Sequence, residues 1–183
     1  MVNIDLKGKA ALVTGASRGL GRAAALLLAE AGCDVTLGFA RDKDAAEETA
    51  DRCRESGVRA FAFKADLAVP AEVQSLVRRS VRQFGRLDIL VANAGVWKET
   101  PIETLSEEAL AETLEVNLRG VFRCCREVVP VMRAQRAGRI ILVSSTAGQR
   151  GEPFHSVYAA SKGAIQSLAK SLAPELAPDN ILV

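Results

Sequence analysis

Tyr158 and Lys162 stand four residues apart in the C-terminal third of the chain, a spacing that puts both side chains on one face of a helix. A phenol with a pKa of about 10 is a poor acid or base at neutral pH. A fixed ammonium group beside it favours the phenolate and draws the tyrosine toward useful proton transfer. Taken alone, a Tyr-x-x-x-Lys is more often a packed tyrosine and a surface lysine, so the pair gains meaning only from its company. A second cluster supplies that company. Thr14-Gly15-Ala16-Ser17-Arg18-Gly19-Leu20-Gly21 carries three glycines within seven residues, directly after an apolar run and directly before an Ala/Leu-rich one. Glycines there permit positive φ and close backbone approach, and a following helix offers free amides and a favourable dipole to a pyrophosphate. Gly15, Ser17, Arg18, Gly19, Leu20 and Gly21 are therefore candidate dinucleotide-binding residues. The competing reading is a tight strand-to-helix turn that uses glycine only for geometry.

The end of the second strand decides between the two nicotinamide dinucleotides, because an acidic residue there would accept bonds from the adenosine ribose. The segment Leu37-Gly38-Phe39-Ala40-Arg41 has none. Arg41 and Arg18 can instead converge on a 2′-phosphate through charge-assisted bonds, which points to NADP(H). Asp42 beside Arg41, and the reading of Arg41 as a solvated helix-start residue, weigh on the other side.

Together with these clusters, Asp66-Leu67, Asn93-Ala94-Gly95, Asn117 and Ser145 occur in an order that resembles the short-chain dehydrogenase/reductase family over nearly the whole chain. Within that family the general likeness is to 3-oxoacyl carrier-protein reductases. The resemblance implies a catalytic set of Asn117, Ser145, Tyr158 and Lys162. Tyr158 would be the acid/base, Ser145 would hold the substrate oxygen, and Asn117 would anchor a water-linked proton relay. Lys162 would bind the nicotinamide ribose and lower the Tyr158 pKa. It also implies that Asp66 and Leu67 lie near the adenine and that Asn93, Ala94 and Gly95 flank the adenosine ribose. The activity implied is hydride transfer between NADP(H) and a ketone or secondary alcohol, with Tyr158 protonating the alkoxide held by Ser145. Ser144 adjoins Ser145, and strand alternation would turn the two hydroxyls to opposite faces; Ser145 is the choice by family spacing. A sugar or alcohol dehydrogenase, and a non-catalytic cofactor-binding or oligomer-forming relative, stay open as alternatives. Family members associate through the long helices, so a homodimer or homotetramer is expected by resemblance.

Positioning such residues needs alternating strands and helices, and the apolar periodicity provides them. Strands are expected over 9–14, 34–38, 58–64, 87–92 and 139–144, with the start of a sixth over 181–183. Helices are expected over 20–31, 42–56, 70–84 and 157–176, with a long one over 106–135 that is bent near Gly120 or Pro130; Pro174 would kink or end the last early. The sum is a Rossmann-type doubly wound parallel α/β sheet in one domain, 1–183. Relative to the family the chain stops at Val183, before the remaining strands and the segment that would cover the substrate. That stop reads as an incomplete sequence or as a shortened relative, with the fifth or sixth strand left as an apolar edge.

Composition narrows the partners. Basic residues (24) and acidic residues (22) are interspersed, giving a net charge of +2 with no block that could neutralise a row of phosphates, so nucleic-acid binding is disfavoured. Residues 1–9 hold no apolar core, and the apolar run 23–29 is too short to cross a bilayer, so a cytoplasmic protein is expected. Cysteines at 33, 53, 124 and 125 match no zinc pattern and read as reduced hydrophobes, with no metal site. His155, the only histidine, reads as a solvated or lining residue, and Trp97 as either a pocket or a packing residue. Glu47, Glu48, Arg52 and Arg54 read as a solvated helix face.

Overall fold

The computed structural model describes residues 4–183; the first three residues, which belong to the expected domain 1–183 and to the 1–9 stretch, lie outside it. Six strands form one parallel sheet: β1 (Ala10–Thr14), β2 (Asp34–Phe39), β3 (Ala60–Lys64), β4 (Ile89–Ala92), β5 (Gly138–Leu142) and β6 (Ile181–Leu182). Their spatial order is β3-β2-β1-β4-β5-β6. The helices between them are α1 (Gly19–Glu30), α2 (Lys43–Glu55), α3 (Pro70–Phe84), α4 (Glu107–Leu114), α5 (Gly120–Gln135), the short α6 (Ala147–Arg150) and α7 (Ser156–Leu176). This is the expected doubly wound sheet, and its strand order reverses between β1 and β4, where a crevice opens beyond the carboxyl ends of the strands.

Residue alternation assigns each face of the sheet its helices. Along β1, Leu12 faces a layer containing Val73 and Leu76 of α3, Val128 and Met132 of α5, and Ile165 of α7. Its neighbours Ala11 and Val13 face Ala25 and Ala29 of α1 and Ala50 and Cys53 of α2. All five β1 residues are buried, as a strand covered on both faces requires. At the amino end of β1 and β4, the Asp88 carboxylate accepts bonds from the Ala10 amide (3.0 Å) and, at 2.6 Å each, from two Arg86 nitrogens. That clasp fixes the register at the end of the sheet opposite the crevice.

Three expectations are corrected. The helix expected over 106–135 is two helices joined by a π-helical turn at Glu115–Arg119, in which the Gly120 amide bonds back to the Glu115 carbonyl. Tertiary contact explains it: a Cβ on Gly120 would lie 2.8 Å from Leu67 Cβ, so only glycine lets α5 approach the β3–α3 connection this closely. Strand β5 ends at Leu142, leaving Ser144 and Ser145 in the following loop. Helix α7 runs through Pro174 to Leu176 and does not end early; fully buried Leu176 and Ile181 anchor the turn beyond it. The charged face of α2 is largely exposed, with Glu48 paired to Arg22 at 2.6 Å and Arg54 to Glu47 at 3.6 Å.

Candidate active site

The glycine turn sits at the β1/β4 switch point and is tied to the 93–95 tripeptide by one hydroxyl. Thr14 Oγ1 accepts from the amides of Asn93 and Ala94, both at 3.1 Å. Asn93 Nδ2 returns the link, donating to the carbonyls of Thr14 (3.0 Å) and Gly15 (3.2 Å). Gly15 has φ +65°, and a Cβ on it would stand 2.9 Å from Ala94 Cα. A Cβ on Gly21 would fall 2.5 Å from Asn93 Nδ2 and closer still to the Gly15 carbonyl oxygen. Gly19, by contrast, is required by its φ of +58° alone and faces open space. The glycines therefore serve two purposes: Gly15 and Gly21 let the turn close on itself, and Gly19 shapes the edge that faces the cleft. Arg18 precedes α1 without a side-chain cap, so the first amides of α1 are left for an anionic ligand.

A cleft of about 630 Å³ runs from this turn past the end of β2 to the β3–α3 connection, and Gly15, Ser17, Arg18, Gly19, Leu20, Arg41, Asp66, Leu67, Asn93, Ala94 and Gly95 all line it. The residues expected to bind cofactor thus line one cavity, apart from Gly21, which lies beneath the turn against the Gly15 carbonyl, and the two on α7. The Asp66 carboxylate accepts from the Ala68 amide at 2.9 Å, which orders the loop, while the buried Leu67 side chain forms part of the floor. Arg41 is 88% exposed and lies 3.9 Å from Glu112 across the cleft mouth; Glu112 also pairs with Lys98. Asp42 is turned away from Arg41, since its side chain caps α2 by accepting from the Ala45 amide at 3.0 Å. A dinucleotide fits this cavity chemically: glycines give close backbone approach, helix amides suit phosphates, and Arg18 and Arg41 add guanidinium groups to the lining.

Beside the Gly95 edge of the cleft, α7 presents Tyr158 and Lys162. Lys162 is only 5% exposed; its Nζ donates to the Val143 carbonyl at 2.8 Å and lies 6.0 Å from the centre of the Tyr158 ring. Burial pushes its ammonium below the ordinary lysine range. Gly95 lies beside both Lys162 and Asn117: a Cβ there would stand 3.6 Å from Nζ and a tighter 3.2 Å from Asn117 Oδ1. Asn117 is wholly buried within the π-helical turn. It accepts from the Val96 amide (2.7 Å) and donates to the Val96 carbonyl (2.8 Å) and to Ser161 Oγ (3.2 Å). Ser161 in turn donates to the Tyr158 carbonyl at 2.7 Å, so Asn117 links the 93–96 segment to α7.

Ser145 and Tyr158 line a common pocket of about 470 Å³ with Trp97 and Arg150. Ser145 Oγ accepts from the Ala147 amide at 3.2 Å. Ser144 Oγ instead donates to the Lys162 carbonyl (2.7 Å) and accepts from Gln166 (3.1 Å), which commits it to α7. Ser145 is thus the freer of the two hydroxyls, because of these bonds and not through strand alternation. A phenol and a hydroxyl opening on one pocket, with a buried ammonium behind, can hold a substrate oxygen and pass it a proton.

Several contributors escaped the sequence reading. Thr14 was seen only as part of the turn, yet it holds the turn to the tripeptide. Gly148 and Gly163 let α6 and α7 touch backbone to backbone, since a Cβ on Gly148 would lie 2.6 Å from the Gly163 nitrogen; a glycine inside an Ala-rich helix was the available signal. His155 is not solvated. It is 8% exposed, with its ring stacked on that of Trp97 at 4.2 Å and its Nδ1 3.9 Å from Glu152. All four cysteines are buried thiols, and Cys33, Cys124 and Cys125 are pushed up to about 12, chiefly by burial. Among the described residues, no group of three or more His, Cys, Asp or Glu side chains could hold a metal ion, and no helix is long and apolar enough to cross a membrane.

Known proteins resemble this chain over nearly its whole length. The family model described as short chain dehydrogenase matches residues 9–183. The 3-oxoacyl-(acyl-carrier-protein) reductase of Staphylococcus epidermidis is 42% identical over 175 residues, covering 96% of this chain and 72% of that protein. Versicolorin reductase 1 of Aspergillus parasiticus is 40% identical over 182 residues, 99% of this chain and 69% of that one. Among solved structures, an NAD+-bound xylitol dehydrogenase superposes with a TM-score of 0.91 at 37% identity, over 96% of this chain and 67% of the other.

Proposed function

Since the chain belongs to the short-chain dehydrogenase family and is an oxidoreductase of that family, we propose that it uses NADP(H) to interconvert a ketone and a secondary alcohol, with 3-oxoacyl compounds as the leading substrate class. The observation that carries the reading is that Lys162, beside Gly95 of the cleft that holds the glycine turn, stands 6.0 Å from the ring of Tyr158, which opens with Ser145 on the neighbouring pocket. A nicotinamide bound there supplies the hydride. Gly15, Ser17, Gly19, Leu20 and Gly21 seat the pyrophosphate, Asn93, Ala94 and Gly95 the adenosine ribose, and Asp66 and Leu67 the adenine. Arg18 and Arg41 hold the 2′-phosphate, a role supported by the lack of an acid at the end of β2.

Ser145 holds the substrate oxygen, and Tyr158 gives it a proton as negative charge develops. Lys162 favours the phenolate that remains, and its burial strengthens that influence because little water screens the charge. Asn117, through Val96 and Ser161, fixes the position of α7 and anchors the relay that returns the proton. The likeness to a xylitol dehydrogenase supports a sugar-alcohol substrate as the second reading. The intact Ser145, Tyr158 and Lys162 weigh against a non-catalytic relative.

The reading extends to a cytoplasmic homo-oligomer, dimer or tetramer. The four buried thiols suit a reducing compartment. An apolar groove along α5 and α7, with Phe122 half-exposed beside Val129 and Leu172, suits a second copy.

Fluorescence titration with NADPH and NADH, followed by turnover of a ketone panel, tests the proposal. NADPH should bind at least about tenfold more tightly, the equivalent of one good charge-assisted contact. Tyr158→Phe should keep that affinity and lose about 10²- to 10⁴-fold in turnover. Equal affinity for the two cofactors overturns the NADP(H) assignment, and full turnover by Tyr158→Phe overturns the mechanism.

A further inference from the structure

Trp97 is 60% exposed although one face of its indole is covered by His155. The two rings are nearly parallel, 7° apart, with centroids at 4.2 Å. The indole edge is fixed as well, because Nε1 donates to Glu152 at 3.3 Å. His155 is held in turn: its Nδ1 stands 2.9 Å from the Pro153 carbonyl, and the ring is almost fully buried. The loops carrying Trp97 and His155 are also joined by the Thr100 amide, which donates to the Phe154 carbonyl at 2.6 Å. Phe154 takes φ +63° at that junction, a left-handed conformation that a bulky residue adopts at a cost. Such strain persists where surrounding contacts over-determine it, and it gathers at binding sites.

An exposed tryptophan locked in place is a different object from a mobile surface side chain. Its orientation is settled before a ligand arrives, so stacking on the open face carries little ordering cost. Trp97 is among the residues lining the pocket that Ser145 and Tyr158 also line. We propose that Trp97, backed by His155, is a stacking platform for a planar aromatic group attached to the substrate carbonyl, so that aryl ketones or their alcohols are preferred over the aliphatic members of the 3-oxoacyl class. The inference rests on the reductase reading above for the carbonyl and adds the chemistry of what it is attached to. An indole offers an aromatic ring offset-stacking and a large apolar area, neither of which a short aliphatic chain exploits as fully.

Trp97 is the only tryptophan in the chain, so intrinsic fluorescence reports this one site. With the NADP+-loaded protein, 1-tetralone should quench the emission saturably, and ethyl acetoacetate should not. In turnover, the ratio of kcat/KM for 1-tetralone to that for ethyl acetoacetate should fall about tenfold in Trp97→Leu and recover in Trp97→Phe. Retained NADPH affinity in both variants excludes a folding defect. Saturable quenching without turnover of either ketone supports the platform and overturns the reductase reading. Turnover with no quenching, or a ratio unchanged by Trp97→Leu, overturns the platform and leaves the reductase reading intact.

Discussion

On the cofactor side of the site, Gly15 and Gly21 close the turn against Ala94 and Asn93 with no room for a Cβ, whereas on the proton-transfer side the side chains of Lys162, Ser144 and Asn117 reach across to the backbone of another element. The first kind of construction tolerates no added atom. The second tolerates shape changes better but concentrates buried polarity, with Lys162 the extreme case. The two sides should therefore fail differently, one by losing its fold and its ligand together and the other by losing chemistry while the fold survives.

The largest separation of the two is expected at Lys162. Lys162→Met should lower turnover by about 10²-fold or more, yet at pH 7 its thermal stability should equal or exceed that of the parent protein. The sign follows from burial: the folded-state pKa lies below the unfolded value of about 10.4, so the unfolded chain binds the proton more tightly. The parent carries that penalty at neutral pH and sheds it as pH rises toward the unfolded value, so the variant's advantage should shrink on that approach. Urea unfolding at pH 7 and pH 10 measures it. A variant much less stable at pH 7 would make the lysine a structural residue and erase the contrast.

Gly21→Ala should do the reverse. The new Cβ meets the Gly15 carbonyl and Asn93 Nδ2, and overpacking of that kind costs about 1–3 kcal/mol. Unfolding midpoint and NADPH affinity should fall together. Thr14→Val follows with about 1–2 kcal/mol, because the amides of Asn93 and Ala94 lose their common acceptor; retained NADPH affinity would show that the tripeptide holds itself. The smallest effect is expected at Asp88, far from both sides. Burial by itself would raise its pKa, but the Arg86 guanidinium, the Ala10 amide and Lys9 outweigh burial and hold it below the ordinary carboxylate range. Its contribution is complete above the unfolded pKa of about 3.9 and lost as pH falls through the folded value. Asp88→Asn should thus lower stability at pH 7 and approach the parent in acid, with NADPH affinity unchanged at pH 7.

How much of this was legible follows from the range of the interactions involved. The Gly15–Gly21 turn, Asn93–Gly95 and the Tyr158/Lys162 pair announce themselves through residue types at fixed local spacing. The doubly wound parallel sheet follows from alternating elements and one handedness rule, while its strand order is set by which strands pair. Thr14 was hidden because its partners are 79 and 80 residues away. The division of labour between Ser144 and Ser145 was hidden because it depends on α7, not on the strand before them. The solvated alternative for His155 fails because burial beneath Trp97 is a property of two loops meeting, and neither loop encodes it alone.

The π-helical turn at Glu115–Arg119 carries a consequence for variation by insertion and deletion. A π turn is an α-helix with one residue too many, and each helical residue advances the side-chain direction by about 100°. Deleting a single residue there would restore a continuous α-helix while swinging either the surface of α4 or that of α5 by that angle. Asn117 could then no longer face Val96 while Gly120 stays against Leu67. The extra residue acts as a phase adjuster between two helical surfaces, so this helix pair should accept many exchanges of residue type while accepting no change in length.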